Sequence, residues 1–355
     1  MPAVAPEPIA APRARWRACL RRLWGQPMAR HLSLGLAAAV GLLLLTSALS
    51  PYDDFQLAQV AVYALALAGL TVLTGSNGQI SLGHGAFMAV GAYTTAMLLV
   101  DEQAPLGLAV AAAAVTSGLL GLIVGLPATR LRGPYLAGLT LALAVGLPQV
   151  TVRFAWVFGG EEGISVPPPT PPDGVDPQRW LAWICLLATL ATLVLLANLM
   201  SSHVGRAFRS VRDDEAAAAL AGIHVGRTKV LCFTVSAACA GLSGGLLGLG
   251  TAIVNPGEFT PALSIGLLAG MVLGGAGSLL GAWWGALFLV YVPQWATSAS
   301  GSLHLNSSVS SNLALAAYGL VLIGVVLAAP SGIQGSLRAL AHLLTRHLRS
   351  GGKAS

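Results

Sequence analysis

The side chains best placed to do chemistry lie in one stretch, Gly75-Ser76-Asn77-Gly78-Gln79-Ile80-Ser81-Leu82-Gly83-His84-Gly85. It sets hydroxyl, amide and imidazole groups among glycines, carries no formal charge and sits between two apolar runs. A surface loop in this position is expected to hold Lys, Arg, Asp or Glu. An uncharged Gly/polar stretch fits a broken or re-entrant helix lining a cavity, whose half-helix N-termini can hold a carboxylate through backbone N–H groups, without an arginine. The alternative is a short, buried turn. On the first reading Ser76, Asn77, Gly78, Gln79, Ser81 and His84 are candidates for a substrate pathway. A second glycine-rich break, Gly274-Gly275-Ala276-Gly277-Ser278, is a candidate counterpart in a second half of the molecule.

The segment 203–229 offers a different chemistry. Arg206, Arg209 and Arg212 precede Asp213, Asp214 and Glu215, and these lead into Ala216–Ala219 and Gly222. Alanine favours helix, acids suit a helix N-terminus and glycine suits its end, so a short helix flanked by arginines is expected. Such a helix can dock in a groove on a partner. The alternative is a solvated loop whose arginines only set topology. Gly241-Leu242-Ser243-Gly244 matches a GxSG pattern of intramembrane serine proteases, with His84 as a possible base. Serine is also an ordinary packing residue in a run of small residues, and no spacing brings Ser243 to an imidazole. No GxxxxGK[ST] is present, so a P-loop ATP site is excluded. Cys19, Cys185, Cys232 and Cys239 have no metal-ligand spacing and read as small, reduced, buried side chains.

The elements that hold these residues follow from composition. Of 355 residues, 55% are hydrophobic and 9% charged, against ~25% charged in a soluble domain. With 43 glycines and a mean hydropathy of +0.75, the chain reads as a multi-spanning membrane protein. A nucleic-acid partner, a coiled coil and disorder are excluded. The net charge of +6 reflects arginines retained on one membrane face. Apolar runs at 32–50, 57–74, 84–100, 105–128, 135–152, 180–200, 230–251, 262–276, 279–297 and 312–329 predict about ten transmembrane helices in an all-α fold, with broken or re-entrant elements. The run at 32–50 reads as an uncleaved first helix. With ten spans, all basic residues except Arg153 and Arg179 map to one face, including Arg130 and Arg132, while the acids Asp53, Asp54, Asp101, Glu102, Glu161, Glu162, Asp173, Asp176 and Glu258 map to the other. The positive-inside rule makes the basic face, with both termini, cytoplasmic. The expected layout is a basic segment 1–31, a transmembrane domain 32–329 and a tail 330–355, with an outer Pro-rich loop at 157–178 and an inner loop at 203–229. The Pro-rich loop is expected to be stiff and extended. No charge lies well inside a predicted span, which disfavours a proton-driven carrier. The helically spaced pairs Gly121/Gly125, Gly241/Gly245 and Gly270/Gly274 and the row Gly277/Gly281/Gly285 are expected at close helix contacts.

Gly78-Gln79-Ile80-Ser81-Leu82-Gly83-His84-Gly85-Ala86-Phe87 with Gly91-Ala92-Tyr93 resembles the signature of bacterial branched-chain amino acid transporter permeases of the LivM type. Arg132-Gly133-Pro134-Tyr135-Leu136 with Leu139-Thr140-Leu141, the segment Gly205–Arg209 through Asp214-Glu215 and Gly222-Ile223, and Val272–Ser278 resemble further motifs of that family, in order over about residues 60–330. The resemblance implies a permease subunit of an ATP-binding cassette importer in the bacterial inner membrane. It implies no enzyme activity and no cofactor on this chain, ATP being used by two cytoplasmic ATPase subunits. A second, related permease and a periplasmic substrate-binding protein would complete the assembly, in contact with membrane lipid. Arg206, Arg209, Arg212, Asp214, Glu215 and Gly222 would couple to the ATPases. Many ABC importers carry EAAxxxG here, whereas Ala216-Ala217-Ala218 precedes Gly222 and Glu215 lies one residue early. Permeases of this type also serve urea, short amides and small carboxylates.

Overall fold

The computed structural model describes residues 27–302 except Arg132, with 319–320, 323–324 and 332–339. The fold is all-α and membrane-integral. The apolar helices are α1 (Pro27–Thr46), α2 (Pro51–Leu70), α3 (His84–Val100), α4 (Leu106–Ala128) and α5 (Pro134–Arg153). A one-turn α6 (Ala155–Phe158) leads through the loop to α7 (Pro177–Ser201), and α8 (His203–Asp213) and α9 (Glu215–Leu220) follow. The chain then forms α10 (Val225–Thr251), α11 (Pro261–Gly274) and α12 (Gly281–Ser302). Among the described residues, seven helical stretches are long and apolar enough to cross a membrane, and α3 is a shorter apolar helix. Nine predicted spans thus coincide with helices. The tenth, at 312–329, falls almost entirely outside the described residues, as do Cys19, Arg132, Arg346, Arg349, Lys353 and the arginines from Arg13 to Arg22.

Helix α2 is the centre. Its residues from Ala58 to Leu73 are nearly all buried, because α7, α10, α11 and α12 surround it. A helix enclosed on every side needs no polar stripe, and its sequence shows none. Pro51 opens it, with Ser50 as N-cap accepting from the Asp53 N–H. Beside it α10 packs on α3 and α4 through small residues. A side chain at Gly91 would collide with the Gly241 backbone, and one at Gly244 with Met88. Lipid tails give apolar helices no reason to associate, so close backbone approach and interhelical hydrogen bonds do that work. Ser117 Oγ donates to the Phe87 carbonyl at 2.7 Å, Thr189 Oγ1 to Ala61 at 2.9 Å and Ser243 Oγ to Val62 at 2.7 Å. The expected glycine pairs do mediate contacts, α11 and α12 meeting at Gly270/Gly285 and Gly274/Gly281. Gly277 is the exception: it faces open space.

The Pro-rich loop is not simply extended. Strand β1 (Ile164–Ser165) pairs antiparallel with β2 (Ile253–Val254), and the Val166 N–H donates to the Ala252 carbonyl at 2.8 Å. This ribbon pins the loop to the end of α10. On the same face Asp54 is fully buried and accepts from Arg179 Nε at 3.3 Å. The pairing explains why Arg179 stands apart from the other cations: it compensates a carboxylate withdrawn from water.

Candidate functional site: a buried junction at two helix breaks

At its basic end α2 widens into a π-helical turn, Thr71–Ser76, and then leaves the helix. The chain turns at Gly78, whose φ of +75° only glycine adopts without strain. It runs non-helically to His84, where α3 begins. His84 Nε2 lies 3.1 Å from Ser236 Oγ on α10, and Ser236 Oγ donates to the Gly69 carbonyl at 2.6 Å. Gly69 lies about 10 Å up the helix from Ser76 at ~1.5 Å per residue. The segment 77–83 therefore climbs back into the protein, with Asn77, Gln79, Ser81 and Gly83 buried and Gly78 and Ile80 exposed. Ser236 spends its one proton on Gly69, so His84 is the donor and carries its hydrogen on Nε2. Its Nδ1 is buried without a partner among the described residues.

Five elements converge on this break. Thr140 of α5 accepts from the Leu82 N–H at 2.9 Å, and Ser264 of α11 accepts from the Gly85 N–H at 2.9 Å. Gln79 Nε2 donates to Asn77 Oδ1 at 2.6 Å and to the Lys229 carbonyl of α10 at 3.3 Å. Asn77 Nδ2 donates to the Phe208 carbonyl of α8 at 3.5 Å, and Arg212 Nη1 of α8 donates to the Gly75 carbonyl at 2.6 Å. The second glycine-rich break is the fifth: a Cβ at Gly75 would overlap the Ala276 carbonyl, so the two breaks touch. The Ala86 and Phe87 N–H groups are taken by the Gly83 carbonyl. With Gly85 capped by Ser264, these three N–H groups at the start of α3 are occupied by protein.

The segment 203–229 holds two helices where one was expected. Ser202 caps α8 by accepting from the Val204 N–H at 3.2 Å. Gly205, Phe208 and Val211 form its buried face. Asp214 Oδ1 caps α9, accepting from Ala216 at 2.8 Å and Ala217 at 3.0 Å. Gly222, at φ +85°, ends α9, with the Ile223 N–H reaching back to the Ala218 carbonyl at 3.0 Å. The outer face of α9 is apolar and uncovered: Leu220 is 92% exposed, with Ala216, Ala217 and Ala219 beside it. A crevice of about 490 Å³ opens between its end and the start of α10, lined by Gly222, Ile223 and Arg227 among others. Glu215 turns inward instead and pairs with buried Lys229 at 2.6 Å.

The structure thus brings Asn77 and Gly78 to Phe208 and Arg212 of α8 and Gln79 to Lys229, while His84 lies apart from Arg212, at Ser236. Ser76 is half-buried at the same turn, and Ser81 is buried, accepting from the Gly83 N–H at 3.3 Å. Arg206 and Arg209 lie on the exposed side of α8, bonded to His203 Nδ1 at 2.7 Å and to the Met200 carbonyl at 3.1 Å. Sequence reasoning missed Thr140, Ser236, Ser264 and Lys229. Hydroxyls are scattered through every span, and Lys229 lacked a visible partner. The protease reading fails on geometry. Ser243 donates to Val62, and His84 bonds at Ser236, two helical turns or ~10 Å from Ser243 along α10.

Buried hydroxyl and amide groups tied between long apolar helices define a multi-pass membrane protein, with a small helix presented at its basic face. The family profile described as "Branched-chain amino acid transport system / permease component" matches residues 54–329, and the chain belongs to that family. It is 32% identical to the high-affinity branched-chain amino acid transport system permease protein LivM of Salmonella typhimurium over 256 residues, 64% of this chain and 60% of the relative. It is 28% identical over 309 residues to LivH of the same organism, 78% of this chain and 92% of the relative. It is 30% identical over 242 residues to the autoinducer 2 import system permease protein LsrC of Klebsiella pneumoniae, 65% of this chain and 63% of the relative. The chain spans 60% of the length of the LivM relatives it matches. No solved structure matches. These relatives and the seven long apolar helices make the chain a multi-pass inner-membrane protein.

Proposed function

We propose that the chain is a membrane-spanning permease subunit of an ATP-binding cassette importer for leucine, isoleucine and valine. Two cytoplasmic ATPase subunits drive it, a second, related permease pairs with it, and a periplasmic binding protein delivers substrate. Its own residues hold no ATP. Residues 203–229 are the cytoplasmic coupling loop, 157–178 the periplasmic loop, and ten spans place both termini in the cytoplasm. The observation that carries the mechanism is the bond from Arg212 to the Gly75 carbonyl. It joins the helix pair that an ATPase would grip to the point where α2 breaks. Movement of α8 and α9 on ATP binding pulls at Gly75 and Asn77, and through them at the contact with Ala276. Parting of the two breaks would free the Ser76–His84 groups and the start of α3 to face a solute. The amino-acid assignment rests on the similarity to LivM and LivH.

A second reading, an importer of the same build for another small polar solute, is favoured by the similarity to LsrC. Uptake of labelled leucine into proteoliposomes carrying the complete system separates them. The first reading expects ATP-dependent uptake that survives collapse of the proton gradient and is competed by isoleucine and valine. Uptake of another solute that leucine does not compete would select the second.

A further inference from the structure

Away from the junction, a groove of about 660 Å³ runs between α1 and α7 and is closed at one end by residues 277–283 and Arg338. Its sides are apolar: Leu34, Ala38 and Leu42 from α1, Leu193 and Ala197 from α7, and Trp283. Its polar groups gather at one end. There His31 Nδ1 meets Asn198 at 2.9 Å, and Arg338 Nη2 donates to Ser278 Oγ at 2.9 Å. Met200, also at this end, takes a bond from Arg209, so the polar end lies on the basic face of the molecule. From His31 to Leu42 the groove runs about 16 Å at ~1.5 Å per residue, the depth of one leaflet in a hydrocarbon core of ~30 Å. The mouth opens where Leu34 and Leu280 are exposed, beside other exposed leucines of α1 such as Leu32, Leu36 and Leu44.

We propose that this groove is a binding site for an acidic phospholipid of the leaflet on the basic face. One acyl chain lies along the seam of α1 and α7, which meet at Gly35 and Val194, and the phosphate sits on Arg338. The occupant follows from the arrangement of charge. A transmembrane helix of a protein partner would match the apolar sides but would leave a guanidinium facing it. A phosphodiester on a hydrocarbon chain satisfies both ends. Arg338 carries five N–H donors in a planar fork and gives one to Ser278, so its remaining edge suits a pair of phosphate oxygens. Arg30, exposed next to His31, adds a second positive charge near the headgroup.

The test is native mass spectrometry of the delipidated, purified complex, titrated with phosphatidylglycerol and with phosphatidylcholine of identical chains. Preferential retention of phosphatidylglycerol is expected. Arg338→Gln should weaken it about fivefold, the effect of one cation near an anionic headgroup, and leave phosphatidylcholine unchanged. Ala197→Phe fills the groove and should lower retention of both lipids, which keeps the test open if loss of the Ser278 bond impairs folding of the first variant. Glycerol 3-phosphate should not compete. Equal retention of the two lipids, no effect of Ala197→Phe, competition by glycerol 3-phosphate, or a protein subunit found covering the groove would each overturn the proposal.

Discussion

Replacing Arg212 by alanine should separate ATP hydrolysis from transport. The bond it removes is short, 2.6 Å, and joins a cation to the Gly75 carbonyl at the break. Hydrogen bonds to charged groups contribute ~1.5–3 kcal/mol when buried. Arg212 is exposed apart from this contact, so the lower end applies. About 1.5 kcal/mol corresponds to roughly tenfold in an equilibrium constant. A link through which α8 moves the break can shift its equilibrium by no more than its own free energy. The expected result in proteoliposomes is therefore about a tenfold fall in solute moved per ATP hydrolysed, with basal ATPase activity retained. Arg130→Ala is the matched control. It removes an exposed charge mapped to the same face but outside residues 203–229. An unchanged ratio of transport to hydrolysis in the Arg212→Ala complex, at normal expression, would refute the reasoning. Equal losses in the two variants would also refute it, by assigning the effect to charge alone.

Three further outcomes follow from the same geometry. Gly75→Ala pushes a methyl into the Ala276 carbonyl, where backbone cannot yield; overpacking of this kind costs about 1–3 kcal/mol. Thermal unfolding in detergent should show a clearly lowered midpoint, whereas Gly138→Ala, with open space around it, should not. Leu220→Asp changes an exposed side chain on α9 and should leave the unfolding midpoint unchanged while reducing transport-linked ATPase activity severely. Ser243→Ala removes one interhelical hydrogen bond, worth ~0.6 kcal/mol in a membrane bundle, and uptake should stay within about twofold of the native rate. Loss of all activity in that variant would revive the serine-nucleophile reading.

Much of the scaffold was legible because hydropathy reports the membrane directly. The runs at 84–100 and 105–128 match α3 and α4 to within a residue. The first helix ends earlier than its run, at Thr46, because Ser50 and Pro51 start α2 at once. That start was missed because Asp53 and Asp54 lower the hydropathy of a capped first turn. Helix α8 was hidden by its arginines, although Gly205, Phe208 and Val211 recur at helical spacing and mark its buried face. The ribbon of β1 and β2 is two residues long and arises from tertiary contact, which no local pattern encodes. The break itself was visible as an uncharged glycine-rich stretch. Its partners were not: Thr140, Ser236 and Ser264 are single hydroxyls in apolar helices, and only the packing of α5, α10 and α11 brings them to one place. The two glycine-rich breaks were both visible in the sequence, and their contact at Gly75 and Ala276 was not.

The central claim is that this chain is the membrane half of a machine driven from its basic face. Affinity purification of the tagged chain from native membranes in mild detergent, with identification of the proteins that come with it, tests that claim most directly. The account predicts two further kinds of subunit: P-loop ATPases and a second, related permease. Recovery of the chain alone, from membranes that take up the solute normally, would contradict it.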